Sequence, residues 1–173
     1  MKKLLITAVA ACAIIAGAAE FRIEAESIGE RASWGQGVGS GNIGGKLIWS
    51  NNKKGPENTA VGVYSCPEEG RYYVWVRTLS MNEGWRKTQV KINGKVVGKF
   101  GDEKQPGGVK GKQVLAWKRT LGATLIPAGE LKVELIPLST ASRVDSLIFT
   151  TDQNFKPGDK AAVEEITELD CEY

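Results

Sequence analysis

The sequence predicts an all-β protein, built as a single antiparallel β-sandwich, and three observations lead to this fold class. Apolar residues alternate with polar ones along many short segments, which is the period of a half-buried strand. Glycine, proline and asparagine residues typical of turns separate these segments at short intervals. Helical periodicity is almost absent, and a chain of 173 residues forms one domain by default.

The strand at 72–77 has the clearest alternation, and its apolar face consists of Tyr72, Val74 and Val76. The other face carries the residues between and after them: Tyr73, Trp75 and Arg77. Segment 131–136 alternates in the same way. Further strands are predicted at 21–26, 47–49, 59–65, 90–92, 95–97, 113–117, 120–126 and 144–150. The strongest turn signal is Asn93-Gly94, because both positions of a two-residue hairpin turn need a positive φ.

Both ends of the chain are expected to lie outside the sandwich. Residues 1–18 combine a basic start, an apolar run and a small-residue cleavage pattern, which predicts a signal peptide and a secreted, periplasmic or cell-surface protein. A lipoprotein anchored through Cys12 is the less favoured alternative, because the apolar run continues past that residue. The predicted domain is 20–157, and 158–173 form a tail with either a short helix or a frayed end.

The composition excludes several classes of function. The chain has no histidine and no Cys-x-x-Cys motif, which excludes zinc sites and histidine-dependent nucleophilic catalysis. Its 23 basic and 20 acidic residues are interleaved, so no basic patch for nucleic acid is formed. The signal peptide would not span a membrane.

Two cysteines, Cys66 and Cys171, would remain in the exported chain. In an oxidising compartment they would form a disulfide that ties the tail to the domain, or they would stay two unpaired thiols. Sequence separation fixes no distance between them, so both alternatives stay open.

A glycine-rich stretch at 34–51 contains a literal G-x-G-x-x-G at 39–44. The dinucleotide-binding motif needs a strand before it and a helix after it, so that helix amides face the phosphates. Here a strand-like segment and a loop follow the glycines, which excludes this interpretation. The glycines are instead expected to form a surface loop between strands.

The tryptophans are the more informative residues. Trp34, Trp85 and Trp117 lie at or near the predicted ends of elements, whereas Trp49 and Trp75 lie within strands and are expected to pack in the core. An exposed aromatic ring suits the apolar face of a pyranose, whose hydroxyl rim needs hydrogen bonds. For each of the first three, partial burial at the edge of the sandwich is the alternative.

Several segments follow one another in an order that is characteristic of a protein family. FRIEAESI at 21–28 is similar to a first strand with an Ala-Glu pair, and GRYYVWVRTLS at 70–80 to a strand of pattern Gly-x-Tyr-x-φ-x-φ-Arg, with φ apolar. The later segments are, in order, VKINGKVVGKF, Trp117, LIPAGELKVELIPLS and SRVDSLIFTTD. This set resembles carbohydrate-binding modules of families 6 and 35 over roughly 21–155. The resemblance implies a jelly-roll-like sandwich that binds a polysaccharide or oligosaccharide and is not an enzyme.

The resemblance also implies a structural Ca²⁺ near the start and end of the fold. By the match, Glu26 corresponds to the glutamate of the Ala-Glu pair and Asp145 to an aspartate of the closing strand. Glu24 is a weaker third candidate. Carboxylate oxygens are ligands that Ca²⁺ prefers. The alternative is that all three are ordinary charged strand residues facing solvent.

The family implies a sugar site in loops at one end of the sandwich, against aromatic side chains. By position, Trp117 resembles the tryptophan platform, and Trp34 or a neighbour would form a second wall. Trp85 is a further candidate in a loop. Arg143 stands where many members have asparagine; a guanidinium binds carboxylate or sulfate through two hydrogen bonds, which predicts an acidic glycan. Pairing of Arg143 with a local Asp or Glu is equally compatible with the sequence.

Two other classes of function remain as alternatives. One is a structural or protein-binding envelope domain that uses the fold without sugar. The other is a β-sandwich lyase or glycosidase, which would need two facing carboxylates. Loop acids such as Glu57, Glu83 and Asp102 are present, but nothing in the sequence pairs any two of them.

Overall fold

A computed structural model describes residues 18–38, 46–80, 86–101 and 114–158. The strands in these ranges are β1 (Glu20–Glu24), β2 (Gly35–Gly37), β3 (Leu47–Trp49), β4 (Ala60–Cys66), β5 (Gly70–Ser80), β6 (Thr88–Ile92), β7 (Lys95–Phe100), β8 (Val114–Arg119), β9 (Thr124–Ile126), β10 (Gly129–Pro137) and β11 (Arg143–Thr150). Two single turns of 3₁₀ helix, Ala25–Ser27 and Pro56–Asn58, follow β1 and precede β4.

The strands form two antiparallel sheets in one domain, which confirms the predicted all-β sandwich. In the seven-stranded sheet, β11 pairs with β5 along one side and with β3 and β1 along the other. Strands β8 and β9 continue this sheet beyond β5, and β2 continues it beyond β3. The four-stranded sheet has the order β4-β10-β6-β7.

The core lies between the two sheets and is formed by the apolar face of each. In β5 the predicted alternation is confirmed, because Tyr72, Val74 and Val76 are fully buried. Phe21 stacks on Phe149 with ring centroids 4.6 Å apart and meets Tyr72 edge-on at 5.4 Å. Burial of such large aromatic and aliphatic side chains is the main driving force for bringing the sheets together.

The predicted hairpin turn is confirmed between β6 and β7. Asn93 and Gly94 both have positive φ, 48° and 77°, as the two-residue turn requires. The Asn93 side chain also accepts a hydrogen bond of 2.7 Å from the backbone N–H of Lys132 on the neighbouring strand β10. The turn is therefore fixed both by its own backbone and by the adjacent strand.

Two local predictions are wrong, and one strand was not predicted. The first strand ends at Glu24, so Glu26 lies in a 3₁₀ turn and not on the strand. The segment 120–126 is a strand only over its last three residues. Strand β2 was not predicted, because its sequence Gly-Gln-Gly has low intrinsic strand preference and forms only by pairing with β3.

Several sequence predictions concern residues outside the described ranges: the signal peptide, the G-x-G-x-x-G motif, the tail helix, Cys12, Trp85 and Cys171. Among the residues that are described, no helix is long and apolar enough to cross a membrane.

Candidate functional site

The outer face of the seven-stranded sheet, on the side away from the core, carries an unusual set of side chains. Residues directly opposite each other in antiparallel strands point to the same side of a sheet. Arg77 lies opposite both Trp117 and Ser146, and Trp75 lies opposite Arg119. Because the alternating residues of β5 fill the core, all of these side chains are on the outer face.

Three cross-strand pairs on this face each join a tryptophan to an arginine. The guanidinium carbon of Arg77 lies 5.9 Å from the ring centroid of Trp117, and that of Arg119 lies 5.8 Å from Trp75. Trp49 on β3 is opposite Arg143 on β11. An arginine over an indole is held by cation–π attraction, which orients both groups. We call this surface the tryptophan–arginine face.

Trp49 lies flat against β2, at the end of the face where β11 begins. A Cβ atom placed on Gly35 would be 2.9 Å from Cε2 and Cζ2 of this indole, and one on Gly37 would be 2.9 Å from Cζ3. Only residues without a side chain leave room for a ring this close to the strand. Trp49 is half-buried, so the indole has its underside on β2 and keeps a solvent-accessible part.

A second arginine, Arg86, lies beside Arg143 at the same end of the face. Its guanidinium donates a hydrogen bond of 3.4 Å to the carbonyl of Ala141, and its side chain is almost fully buried. Burial and the nearby charge of Arg143 lower the pKa of Arg86 to about 10. Burial also lowers the pKa of Arg143. Both groups are cations at neutral pH, as arginine side chains are in proteins.

Backbone and hydroxyl hydrogen bonds hold this end together. The N–H of Ser50, next to Trp49, donates to the carbonyl of Ser142, next to Arg143, at 3.0 Å. The Ser142 hydroxyl contacts the carbonyls of Ser139, at 3.1 Å, and Lys87. The turn before β11 is thereby fixed to β3, which sets the position of Trp49 relative to Arg143.

The centre of the face contains two arginine–carboxylate pairs, Arg77 with Asp145 and Arg22 with Glu24. Arg77 binds Asp145 at 3.1 Å with side chains only 4% and 0% exposed. A bulge in β11 between Val144 and Ser146 places Asp145 there. Removing either partner of such a pair leaves a buried charge without compensation, which is costly.

The carboxylates predicted to bind calcium belong to this region. Glu24 pairs with Arg22 at 3.0 Å, Asp145 pairs with Arg77, and Glu26 is half-buried in the 3₁₀ turn. Among the described residues, no group of three or more acidic, histidine or cysteine side chains is placed to hold a metal ion. Arginines pair with two of the three carboxylates, and side-chain oxygens of Glu24, Glu26 and Asp145 are buried. Calcium binding stays a prediction.

The structure separates the predicted sugar-binding residues. Trp117 and Arg143 are both on the tryptophan–arginine face. Trp34 is only 6% exposed, packs in the core and donates a 2.7 Å hydrogen bond from Nε1 to the carbonyl of Asn58. The expectation that its ring lies open is therefore wrong, and the alternative of burial holds. Trp85 lies outside the described residues.

Some residues of the face were missed or misplaced by sequence reasoning. Trp49 and Trp75 were expected in the core, yet both are half-buried on the outer face. The alternation in β5 was a usable signal, since Trp75 alternates with the apolar set. Nothing local in the sequence indicated that Arg86 would approach Arg143.

Cys66 carries a free, buried thiol, and its S–H donates to the carbonyl of Glu68 at 3.2 Å. Burial raises the pKa of this thiol. Its predicted disulfide partner Cys171 lies outside the described residues, so the described structure gives no support to that pairing.

The architecture is that of the β-sandwich carbohydrate-binding modules of families 6 and 35. It is similar to the C-terminal family 6 module of a marine laminarinase from Zobellia galactanivorans, with a TM-score of 0.54 and 17% identity over 76% of this chain and 99% of the module. It is also similar to a family 35 module from Clostridium thermocellum, with a TM-score of 0.52 and 16% identity over 74% and 96% of the two chains.

A larger protein contains a similar region. An exo-β-1,3-galactanase from Phanerochaete chrysosporium, in a structure with β-1,3-galactotriose, matches 74% of this chain with a TM-score of 0.54 and 20% identity. The match spans only 28% of the galactanase. At these identities the likeness establishes the fold alone. The sequence matches no protein-family model and no curated protein sequence.

Proposed function

We propose that this chain is an exported, non-catalytic carbohydrate-binding module that holds an acidic polysaccharide on the tryptophan–arginine face. The fold supports a sugar-binding role, since the similar domains include carbohydrate-binding modules from two families. The signal-peptide pattern at residues 1–18 supports export. The chemistry of the face supports the acidic character of the ligand.

One observation carries the proposal: the half-buried indole of Trp49 lies opposite Arg143, which has Arg86 beside it. The ring of Trp49 offers a flat apolar surface to the C–H face of a pyranose. Arg143 offers a planar fork of donors that suits a carboxylate or sulfate. The charge of Arg86 next to that of Arg143 adds to the positive potential at this end of the face.

Trp117 is the next aromatic platform across the sheet. From the spacing of strands and of residues along them, its Cα lies about 16 Å from that of Trp49. A single sugar ring is too small to contact both indoles. The face therefore suits a chain of several sugar residues better than a monosaccharide.

The carboxylates of the face favour binding over catalysis. A glycosidase needs one carboxylic acid and one carboxylate facing the scissile bond. Glu24 and Asp145 are buried and each forms an ion pair with an arginine, so neither carboxylate is open to a sugar on the face.

The test compares a polyanion with the same polymer after its charge is removed. The purified domain is titrated with polygalacturonate and with fully methyl-esterified polygalacturonate by isothermal titration calorimetry. We expect the acid to bind and the ester to bind about tenfold more weakly, the size of a lost charge-assisted hydrogen bond.

Arg143→Gln should weaken the binding of the acid to a similar extent. The control Lys95→Gln removes the same charge from an exposed position on the other sheet and should bind as the wild type does. Equal affinity for the acid and the ester, or wild-type affinity in Arg143→Gln, would contradict the proposal.

A further inference from the structure

A cavity of about 390 Å³ lies at the opposite end of the tryptophan–arginine face, where β11 ends. Its walls are formed by Trp75, Arg119, Gln153, Asn154, Phe155 and Lys156. The rings of Trp75 and Phe155 meet at 73° with centroids 6.4 Å apart, so that they form two sides of a corner. The volume is within the range of about 300–1,000 Å³ that is usual for small-molecule sites.

Arg119 is held in a fixed position at this corner. Its guanidinium carbon lies 4.6 Å from the ring centroid of Tyr73 and 5.8 Å from that of Trp75. One of its terminal nitrogens also donates to the backbone carbonyl of Gln153. A guanidinium fixed on three sides loses little conformational entropy when it binds a ligand.

The segment after β11 is a hydrogen-bonded turn that brings Phe155 to the corner. The carboxylate of Asp152 accepts from the N–H of Asn154 at 2.7 Å, and its carbonyl accepts from the N–H of Phe155 at 3.3 Å. The N–H of Asp152 donates to the hydroxyl of Thr150 at 3.1 Å. These bonds involve the backbone of Asn154, and its side chain is exposed.

The lining combines the three kinds of group that an acidic sugar residue needs. Two aromatic rings offer apolar surface, two side-chain amides offer hydrogen bonds to hydroxyls, and two cations offer partners for an anion. No carboxylate side chain is among the six lining residues. We infer that this corner is a second saccharide site, specific for a sugar residue that carries a carboxylate or sulfate.

This site is separate from the one around Trp49. The Cα atoms of Trp49 and Trp75 lie about 17 Å apart by strand spacing and register. A disaccharide does not reach from one ring to the other. The corner site rests on the proposed function and deepens it, because Trp75 and Arg119 belong to the tryptophan–arginine face, while none of the six lining residues belongs to the Trp49 end.

The experiment follows the two ends separately by NMR. The indole N–H signals of Trp49 and Trp75 are assigned with tryptophan variants, and the domain is titrated with digalacturonate. We expect a saturable shift of the Trp75 signal. In Arg119→Gln the association constant from that signal should fall about tenfold, and Asn154→Ala should also reduce it.

Lys95→Gln is the control for loss of one positive charge, and its Trp75 signal should respond to digalacturonate as in the wild type. Digalacturonate dimethyl ester is the control for the ligand charge, and it should bind more weakly than the acid. Neither Arg119→Gln nor Asn154→Ala should alter the shift of Trp49. The inference is overturned if the Trp75 signal does not shift on titration. It is also overturned if both variants show the same Trp75 shift and the same association constant as the wild type. A shift of the Trp75 signal without a shift of the Trp49 signal supports the corner site and contradicts the Trp49 site. Failure of the corner site and failure of the proposed function are therefore distinguishable.

Discussion

The close contact between Trp49 and β2 allows the indole to be displaced without substituting any polar residue. The change is the double variant Gly35→Ala/Gly37→Ala, which adds two methyl groups under the ring. Each new Cβ would start 2.9 Å from carbon atoms of the indole. Carbon atoms pack at about 3.5–4.0 Å, so the ring must move away from the strand by about 0.6–1.1 Å.

The effect on folding should be small, because two terms oppose each other. Tilting the indole away from its preferred rotamer costs about 0.5–1.5 kcal/mol. Each Gly→Ala change in a strand gains about 0.4–1 kcal/mol by restricting the unfolded chain. We therefore expect the free energy of unfolding to change by no more than about 1 kcal/mol.

The effect on binding should be larger than the effect on stability. A ring displaced by this distance loses its alignment with the sugar and with Arg143, and such aromatic contacts are worth about 0.5–1.5 kcal/mol. The affinity for polygalacturonate should fall roughly fivefold. Calorimetry measures the affinity, urea denaturation the stability, and tryptophan fluorescence the new environment of the ring.

Gly122→Ala is the matched control, because a Cβ at this glycine meets no atom within 4 Å. It should leave affinity and fluorescence unchanged. If the double variant keeps wild-type affinity while its fluorescence shows that the ring has moved, Trp49 does not bind the sugar. If it loses several kcal/mol of stability, the contact is a packing contact and the reasoning fails.

Three further predictions concern the buried polar groups. Arg77→Leu should destabilise the fold by about 3–5 kcal/mol in urea denaturation, and adding Asp145→Leu should recover most of that loss; equal instability of both variants would contradict the pairing. Trp34→Phe removes the donor to Asn58 and should cost about 1–3 kcal/mol of stability with no change in glycan affinity. If Glu24, Glu26 and Asp145 hold a Ca²⁺ in the native state, EDTA should lower the Tm, because a ligand that binds only the native state stabilises it, and an unchanged Tm would contradict the predicted calcium site.

The sandwich was predictable because its evidence is local. Alternation along β5 assigns each residue to one face of a strand, and the asparagine–glycine turn fixes the register of β6 against β7. The same alternation places Trp75 outside the core, although its position within a strand suggested that it packs there. In this strand the alternation was a better guide than the position within an element.

The candidate site was predictable only in part, because it depends on contacts between distant segments. Trp34 lies before a glycine-rich loop, yet it is buried because the carbonyl of Asn58 accepts its N–H from 24 residues further on. Arg86 approaches Arg143 through the turn between β10 and β11, where Arg86 donates to the carbonyl of Ala141 and Ser142 donates to that of Lys87. Phe155 reaches Trp75 through a turn whose hydrogen bonds start from Asp152. No window of sequence contains these contacts.

The distribution of charge explains why one face would contain two separate sites and not one continuous groove. In the middle of the face, carboxylates balance the arginines, as in the pair of Arg77 with Asp145. Cationic side chains are present at both ends: Arg86 and Arg143 at one, Arg119 and Lys156 at the other. Under the two proposals, a polyanion would contact these cationic side chains at the two ends, while Trp117 between them offers an aromatic surface beside Arg77. A long acidic chain that binds at both ends gains affinity, because binding at one end raises the effective concentration of the chain at the other end. A disaccharide is too short to bind both ends and does not gain this affinity.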